Sequence, residues 1–213
     1  MIEIAGLTVR SGDAEILGGL TTRVAKGEAV RLTGPNGCGK STLLRVIAGV
    51  RVPSAGTVSI AGRPPQHRSV RALRGFLQEP PPLYEHLTTR EQLALMAGLW
   101  GTRIGTLLER VDALGLSARQ DVLIGELSLG QRKKLGYVCA TAHDPQLLLL
   151  DEPFNGLDSA AVTAVVDDLI RRKQQGRTIV LVSHTDPAGD LTDRTIDLGA
   201  RDRSQVRPTG DDE

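Results

Sequence analysis

The sequence predicts an α/β domain built around a mostly parallel sheet, and two patterns support this prediction. Residues 28–33, 146–151 and 178–182 are short, largely apolar runs, which are typical of parallel strands buried on both faces. Residues 42–48 and 160–173 instead repeat apolar side chains at the spacing of an α-helix. Strands that alternate with helices favour a parallel sheet, and 213 residues suffice for one such domain with a sizeable core.

The N-terminal part has a different pattern, with β-rich segments at residues 2–9 and 15–24 separated by a Ser-Gly-Asp turn. Together with a strand at residues 57–60, these segments predict an N-terminal antiparallel β subdomain. A strand at residues 74–78 then leads into the proline-rich residues 79–82, where neither a strand ladder nor a helix can continue.

Helical periodicity dominates from residue 88 to about residue 142, so we expect an α-helical subdomain inserted into the α/β core. Residues 195–198 are predicted to form a weak last strand, and the polar tail at 201–213 is expected to be disordered. The sequence therefore predicts a single domain over residues 1–200, followed by this tail.

The segment between the first parallel strand and its helix fits the phosphate-binding P-loop pattern, in which two glycines bracket four residues and Lys-Ser follows. Glycines allow successive backbone N–H groups to point at an anion, and the N-terminus of the following helix adds positive charge. We expect Lys40 to reach the β- and γ-phosphates of a nucleotide, and the Ser41 hydroxyl to bind Mg²⁺. This motif predicts a P-loop NTPase core. The predicted phosphate-binding residues are Gly34, Pro35, Asn36, Gly37, Cys38, Gly39, Lys40, Ser41 and Thr42.

Polar side chains at the ends of later strands indicate nucleotide hydrolysis. Asp151 and Glu152 end a buried strand, at the sheet edge where doubly wound folds bind their ligands. We expect Asp151 to hold Mg²⁺ through water, and Glu152 to polarise the attacking water as a general base. His184 follows a strand that should lie beside the Asp151 strand, which would bring its imidazole near the γ-phosphate. Gln78 ends another strand and can contact the metal or the attacking water.

A second anion site is predicted at residues 127–131, Leu-Ser-Leu-Gly-Gln, where Ser128 and Gly130 lie at the N-terminus of a helix that starts at about Arg132. One chain has no evident use for two γ-phosphate sites. In a symmetric dimer, the second site of each chain would close on the nucleotide of its partner.

Composition excludes several other function classes. The chain has 26 basic and 25 acidic side chains and a formal charge of +1, so no excess of positive charge favours nucleic acid as a partner. No apolar run approaches the roughly 18 residues of a transmembrane helix, and the N-terminus lacks the features of a signal peptide. Two cysteines do not make a disulfide framework, and we expect a soluble, cytoplasmic protein.

This set of motifs resembles that of the ATP-binding subunit of ABC transporters, over the chain up to about residue 200. The matching motifs are residues 34–41 as Walker A, Gln78 as the Q-loop, residues 127–131 as the signature, residues 147–152 as Walker B, residues 155–158 as the D-loop with Asp158, and His184 as the H-loop.

The resemblance implies ATP and Mg²⁺ as cofactors and a head-to-tail sandwich dimer of this chain with itself or with a homologous ATPase subunit. In such a dimer, Ser128, Gly130 and Gln131 would act on the ATP of the partner. The resemblance also implies an integral membrane permease as a partner, and hence a peripheral location on the inner face of the cell membrane.

The chain departs from the family pattern at two places. The signature usually has glycine where this chain has Leu129, a variant that looks like that of peptide and lantibiotic exporters. Most members stack adenine on an aromatic residue near positions 10–13, where this chain has none. Arg10 is the candidate replacement because a guanidinium can stack on a base, and a solvated charge at a strand end is the alternative.

Residues 80–91 are similar to the ABC-2 exporter branch, which predicts export, although importers share many of these residues. Leu83, Tyr84 and Leu87 would form a docking surface for a permease helix, unless they only complete the local core. Soluble ABC ATPases of translation or DNA maintenance typically carry two ATPase halves, coiled-coil insertions or basic arms, which this sequence does not show. A catalytically weak partner in a heterodimer is a further alternative, against which Glu152 and His184 argue.

Overall fold

A computed structural model describes residues 1–184 and 191–199, and its elements follow the predicted order. The strands are β1 (Ile2–Ser11), β2 (Ala14–Val24), β3 (Ala29–Thr33), β4 (Ala55–Ile60), β5 (Arg74–Leu77), β6 (Leu147–Asp151), β7 (Thr178–Val182) and β8 (Arg194–Asp197). The α-helices are α1 (Lys40–Ile47), α2 (Arg68–Arg71), α3 (Thr89–Trp100), α4 (Ile104–Ala113), α5 (Leu129–Ala140) and α6 (Ser159–Gln174). Short 3-10 helices span Ser117–Arg119 and Ile124–Glu126. The predicted disordered tail lies outside the described residues.

The larger sheet has five strands in the order β5-β6-β7-β3-β8, and every neighbouring pair is parallel. Strand β7 therefore lies beside β6, as the prediction for His184 requires. Because the strands are parallel, the segments that follow β3, β5, β6 and β7 all leave the sheet at the same edge. The predicted P-loop core with a parallel sheet is confirmed.

Strand β6 shows why the sheet is buried on both faces. Leu147 and Leu149 belong to one hydrophobic core, while Leu148 and Leu150 belong to the other. Successive side chains of a strand point to opposite faces, so four consecutive leucines supply two residues to each core. All four are fully buried, which explains the continuous apolar run that predicted this strand.

The N-terminal strands form the predicted antiparallel sheet, in the order β2-β1-β4. Its apolar face joins the core that contains α1, and Leu17 on β2 is buried beside the start of that helix. The β subdomain thus forms one wall of the P-loop.

The helices α3, α4 and α5 lie within the predicted range of the helical subdomain and pack on the other core. The helix after residue 127 begins at Leu129, three residues before the predicted start, and Ser128 is its N-cap. The Ser128 hydroxyl accepts from the Gln131 N–H at 3.3 Å, and Gln131 Oε1 accepts from the Ser128 N–H at 3.0 Å. This reciprocal capping box starts the helix at the Ser-x-x-Gln pattern itself. The short helix α2 was not predicted.

None of the helices in residues 1–184 and 191–199 combines the length and the apolar character needed to cross a membrane.

The close contact of β5 with the end of α5 gives a stability prediction. A Cβ on Gly75 would lie 2.0 Å from the Ala140 carbonyl oxygen, so Gly75→Ala should force backbone movement. We expect a loss of about 1–3 kcal/mol in the free energy of unfolding, measured by urea denaturation. Gly98→Ala on α3 is the control, because a Cβ added there would have no neighbour within 4 Å and alanine favours a helix. A Gly75→Ala protein as stable as wild type would contradict this packing.

Candidate active site

The P-loop connects β3 to α1 and encloses the Lys40 side chain. The Lys40 ammonium donates to the carbonyl oxygens of Gly34 at 2.7 Å and Pro35 at 2.9 Å, and the residue is only 8% exposed. Its hydrogen-bond partners are therefore neutral. A phosphate oxygen would be a stronger acceptor for this ammonium, because charge-assisted hydrogen bonds are shorter and stronger than neutral ones.

The N-terminus of α1 is open to a ligand. Its N-cap is Gly39, which has no side chain to cap the first N–H groups, and no acidic residue lies in the first turn. Gly39 has φ 98°, and a Cβ there would lie 2.7 Å from Leu17 Cδ2, so both backbone conformation and packing require glycine. The uncapped N–H groups and the helix dipole favour an anion here.

A cavity of about 450 Å³ extends from this helix end. It is lined by P-loop residues together with Ile16, Glu152, Val182 and His184. Three predicted groups, namely the P-loop, Glu152 and His184, therefore line one cavity. Ser128, Gly130 and Gln131 do not line it, and neither does Arg10.

Oxygen donors suited to Mg²⁺ lie at the inner end of the P-loop. The Ser41 hydroxyl donates to Asp151 Oδ1 at 3.0 Å, and Asp151 is 1% exposed. Burial raises the pKa of Asp151, while the Ser41 hydrogen bond and the nearby Arg45 oppose that rise. Gln78 follows β5 at the same sheet edge, since Leu77 pairs with Leu150 in register.

This donor set fits Mg²⁺, which prefers hard oxygen ligands and is often bound by one or two protein groups plus substrate phosphates. Residues 1–184 and 191–199 contain no cluster of three or more His, Cys, Asp or Glu side chains able to form an all-protein metal cage. A site that depends on phosphate oxygens is compatible with that finding.

Glu152 follows β6 and has an unusual backbone conformation, with φ 48°. Its N–H donates to the Val182 carbonyl at 3.0 Å, and its own carbonyl accepts from Lys133 Nζ at 3.0 Å. Positive φ is uncommon for glutamate, so these two contacts hold a conformation that the residue would otherwise leave.

The Glu152 carboxylate is suited to accept a proton. Oε1 lies 3.2 Å from His184 Nε2, whereas Oε2 is buried and has no hydrogen-bond partner within the described part of the chain. Burial raises the pKa of Glu152, and the adjacent His184 opposes this effect. A buried carboxylate with one uncommitted oxygen and a raised pKa is a candidate general base.

The second predicted anion site lies at the N-terminus of α5, next to the D-loop of the same chain. A Cβ on Gly130 would lie 2.3 Å from the Gly156 carbonyl oxygen, so glycine is needed for this contact. Lys134 on α5 forms an ion pair with Asp158, whose carboxylate also caps α6 by accepting from the Ala161 N–H at 2.8 Å. Signature and D-loop therefore form one surface, separate from the lining of the chain's own P-loop cavity.

Arg10 is the residue expected to stack on the base. The backbone of Arg10 is held by Arg51 and Ser54, but the residue does not line the cavity, whereas Ile16 does. The stacking role of Arg10 stays a prediction.

Sequence reasoning missed Lys133 and Glu79. Lys133 is 1% exposed, contacts the Glu152 carbonyl and forms an ion pair with Glu79. The Lys-Lys pair at 133–134 has the pattern of a solvated helix face. The one signal in the sequence was helical spacing. Lys133 lies three residues before Gly136 and four before Tyr137, so all three share the buried face of α5.

Comparison with known proteins gives a consistent family match. A family profile described as ABC transporter matches residues 17–155. The Nod factor export ATP-binding protein I of Rhizobium sp. (strain N33) is 36% identical over 200 residues, which cover 91% of this chain and 66% of that protein. The lantibiotic transport ATP-binding protein SrtF of Streptococcus pyogenes is 30% identical over 184 residues, covering 86% and 80%. The sulfate/thiosulfate import ATP-binding protein CysA of Methylococcus capsulatus (strain ATCC 33009 / NCIMB 11132 / Bath) is 36% identical over 220 residues, covering 96% and 62%.

Solved structures share the fold. One described as an ATP binding subunit of an ABC transporter superposes with a TM-score of 0.83 and 31% identity, covering 93% of this chain and 87% of that one. A dimeric ATP-binding cassette in a post-hydrolysis state with ADP and Pi gives a TM-score of 0.82 at 22% identity, covering 93% and 95%, and supports the fold alone. The chain spans 62–80% of the length of the three curated relatives named above.

The enclosed Lys40 ammonium gives a binding prediction. Lys40→Ala should weaken MgATP binding by at least about tenfold in calorimetry, because the phosphates lose their charge-assisted partner. Lys26→Ala is the control, since Lys26 lies in an exposed turn. Equal affinity of the Lys40→Ala and wild-type proteins would contradict the assignment of this loop as the phosphate site.

Proposed function

The chain belongs to the ABC transporter family of ATP-hydrolysing, ATP-binding subunits, and we propose that it binds and hydrolyses MgATP to power a separate membrane permease. The observation that supports hydrolysis best is the shared cavity. The P-loop, Glu152 and His184 line it together, and the Ser41–Asp151 pair lies at its inner end.

In the proposed reaction, the P-loop N–H groups and Lys40 hold the β- and γ-phosphates. Ser41, Asp151 and Gln78 would hold Mg²⁺, which when bound would neutralise phosphate charge. Glu152 takes a proton from the water that attacks the γ-phosphorus, and the bond to the bridging oxygen of ADP breaks, giving ADP and phosphate. His184, 3.2 Å from Glu152 Oε1, would orient the carboxylate and contact the γ-phosphate.

We further propose a head-to-tail dimer, with this chain or a homologous ATPase subunit as the partner. The N-terminus of α5 supports it, because Ser128, Gly130 and Gln131 lie at a helix end outside the chain's own cavity lining. The partner's nucleotide would complete this second anion site, with Asp158 at the same interface. A related cassette of the same fold is described as dimeric.

The permease partner would bind at a groove of about 210 Å³ next to the proline-rich loop. Pro81, Pro82, Leu83, Met96 and Trp100 contribute to its lining. Leu83 and Leu87 pack against the core, whereas Tyr84 is 53% exposed and available for contact. Binding there would place the chain at the inner face of the membrane.

Export is the proposed direction, on the similarity of residues 80–91 to the ABC-2 branch. Relatives named for Nod factor export and for lantibiotic transport agree with it, while the sulfate/thiosulfate relative is named as an importer. Transport by reconstituted vesicles, with ATP supplied on the side of this chain, would distinguish the two directions.

The role of Glu152 can be tested by Glu152→Gln. We expect MgATP affinity within a few-fold of wild type but at least about a hundredfold lower kcat, because the phosphate-binding groups remain while the base is lost. ATP that is bound but not hydrolysed should hold the dimer together, which light scattering would detect.

Glu109→Gln on the exposed surface of α4 is the matched control and should behave as wild type. In the wild-type protein, kcat/KM should fall as pH decreases, beginning above the ordinary glutamate pKa of 4.5, because burial raises the pKa of Glu152 and only the carboxylate can accept a proton. A Glu152→Gln protein that stays monomeric at saturating MgATP would refute either the dimer or the role of Glu152.

The second anion site can be tested by complementation. Ser128→Arg should abolish hydrolysis while leaving MgATP binding by the monomer intact, since Ser128 does not line the chain's own cavity. An equimolar mixture with Lys40→Ala should recover about a quarter of wild-type activity, because half of the dimers are mixed and each has one intact composite site. Failure of the mixture to recover activity would refute action on the partner's nucleotide.

A further inference from the structure

Lys133 on α5 is a buried cation next to the proposed active site, and it is less exposed than Lys40. Its side chain is 2% exposed. Lysine is almost never fully buried unless its charge is paired, because an isolated ammonium loses its hydration. The contacts of this ammonium should therefore show what it does.

The ammonium joins two segments that are distant in sequence. It donates to the backbone carbonyl of Glu152 at 3.0 Å and forms an ion pair with Glu79. Glu79 directly follows Gln78, at the start of the proline-rich loop. The Lys133 ammonium on α5 thus contacts both the main chain of the proposed general base and the proline-rich loop beside the proposed permease groove.

The contact with Glu152 acts on a strained residue. Glu152 has φ 48°, and such conformations persist only when the surroundings hold them. Its N–H is held by Val182 in the neighbouring strand, but its carbonyl is held by Lys133. The neighbouring strand therefore holds the N–H of Glu152, and Lys133 holds its carbonyl.

The contact with Glu79 is supported by close packing of the same helix. Gly136 lies three residues after Lys133, and a Cβ there would be 2.6 Å from Pro81 Cβ and 3.2 Å from Leu77 Cδ1. Pro81 and Leu77 both line the proposed permease groove. A shift of the loop would be passed to α5 at Gly136 and to the ammonium through Glu79.

We propose that Lys133 is a positioning residue, which holds the main chain of Glu152 in its catalytic conformation and links that conformation to the proline-rich loop through Glu79. The inference rests on the proposed hydrolysis with Glu152 as the base. Through Glu79 and Lys133, a permease bound in the groove would alter kcat without altering nucleotide binding.

The test separates positioning from stability by means of a charge-pair deletion. Lys133→Met should lower kcat at least about tenfold with KM within about twofold of wild type, and should lower the Tm because Glu79 loses its buried partner. Lys133→Met combined with Glu79→Gln should recover much of the Tm, since no unpaired charge remains. Its kcat should stay low, because the Glu152 carbonyl still lacks its donor. Recovery of kcat together with the Tm would overturn the proposal.

Arg110→Met is the matched control. Arg110 is a partly buried cation on α4 whose guanidinium bonds Thr141 rather than the active site. Its replacement should lower the Tm and leave kcat within about twofold of wild type. A similar loss of kcat in this control would show that buried cations affect activity through general stability, which would overturn the proposal.

Amide hydrogen exchange provides a readout that needs no activity. Exchange of the backbone amides of Glu152 and of residues 154–157 should be faster in Lys133→Met and in the double variant. It should be unchanged in Arg110→Met and in Glu79→Gln, which keeps the Lys133–Glu152 contact. If the wild-type protein hydrolyses no ATP, the proposed function fails, whereas the exchange result still decides whether Lys133 holds this segment. Unchanged exchange in Lys133→Met would overturn the proposal.

The link to the loop has its own test. Gly136→Ala should push α5 away from Pro81 and lower kcat in the wild-type background, but cause no further loss in the Lys133→Met background. Equal losses in both backgrounds would show that the loop acts on Glu152 by another route.

Discussion

The alternation of β6 between two cores determines where the proposed catalytic carboxylates lie. Its four leucines are divided between the cores, so a slip of one residue would move each of them to the opposite face. The same register sets Asp151 opposite Val182 of β7. Since β3 pairs with β7 as well, the P-loop begins at the edge where Asp151 and Glu152 emerge. Burial of apolar surface thus sets the geometry of a polar site.

That geometry places several charged side chains in poorly hydrated surroundings. Some of them have a partner of opposite charge, and others have only neutral partners. Lys133 is paired with a carboxylate, whereas Lys40 contacts only neutral carbonyls among its observed partners. The pKa of Asp151 and of Glu152 is raised by burial, which disfavours the ionised forms that bind metal and accept protons. In the proposed mechanism, the phosphates of the nucleotide would supply negative charge for Lys40, and the bound metal would supply positive charge for Asp151. Ligand binding and ionisation of the site would then support each other.

Local patterns were enough to predict much of this arrangement. The P-loop, the carboxylates after β6 and the neighbouring position of β7 were recognisable because strand periodicity and strand-end residues are local signals. The start of α5 differs from the predicted start near Arg132, although Ser128 and Gln131 form a capping pattern that is visible in the sequence. Lys133 could not be assigned, since its environment depends on which distant segments pack against it.

Three parts of the fold meet at the site, and in the proposed mechanism they act on different steps. The β subdomain contributes Leu17 and Ile16 beside Gly39, so it shapes the nucleotide-binding end of the cavity. The parallel sheet supplies Asp151 and its bond with Ser41. The helical subdomain contributes Lys133, which contacts Glu152 but none of the P-loop groups in its observed hydrogen bonds. A movement of α5 would therefore disturb the proposed base while Lys40 and Ser41 keep their positions. In such a structure ATP binding and ATP hydrolysis can be controlled separately, which a transporter requires if it must wait for its permease before it hydrolyses the nucleotide.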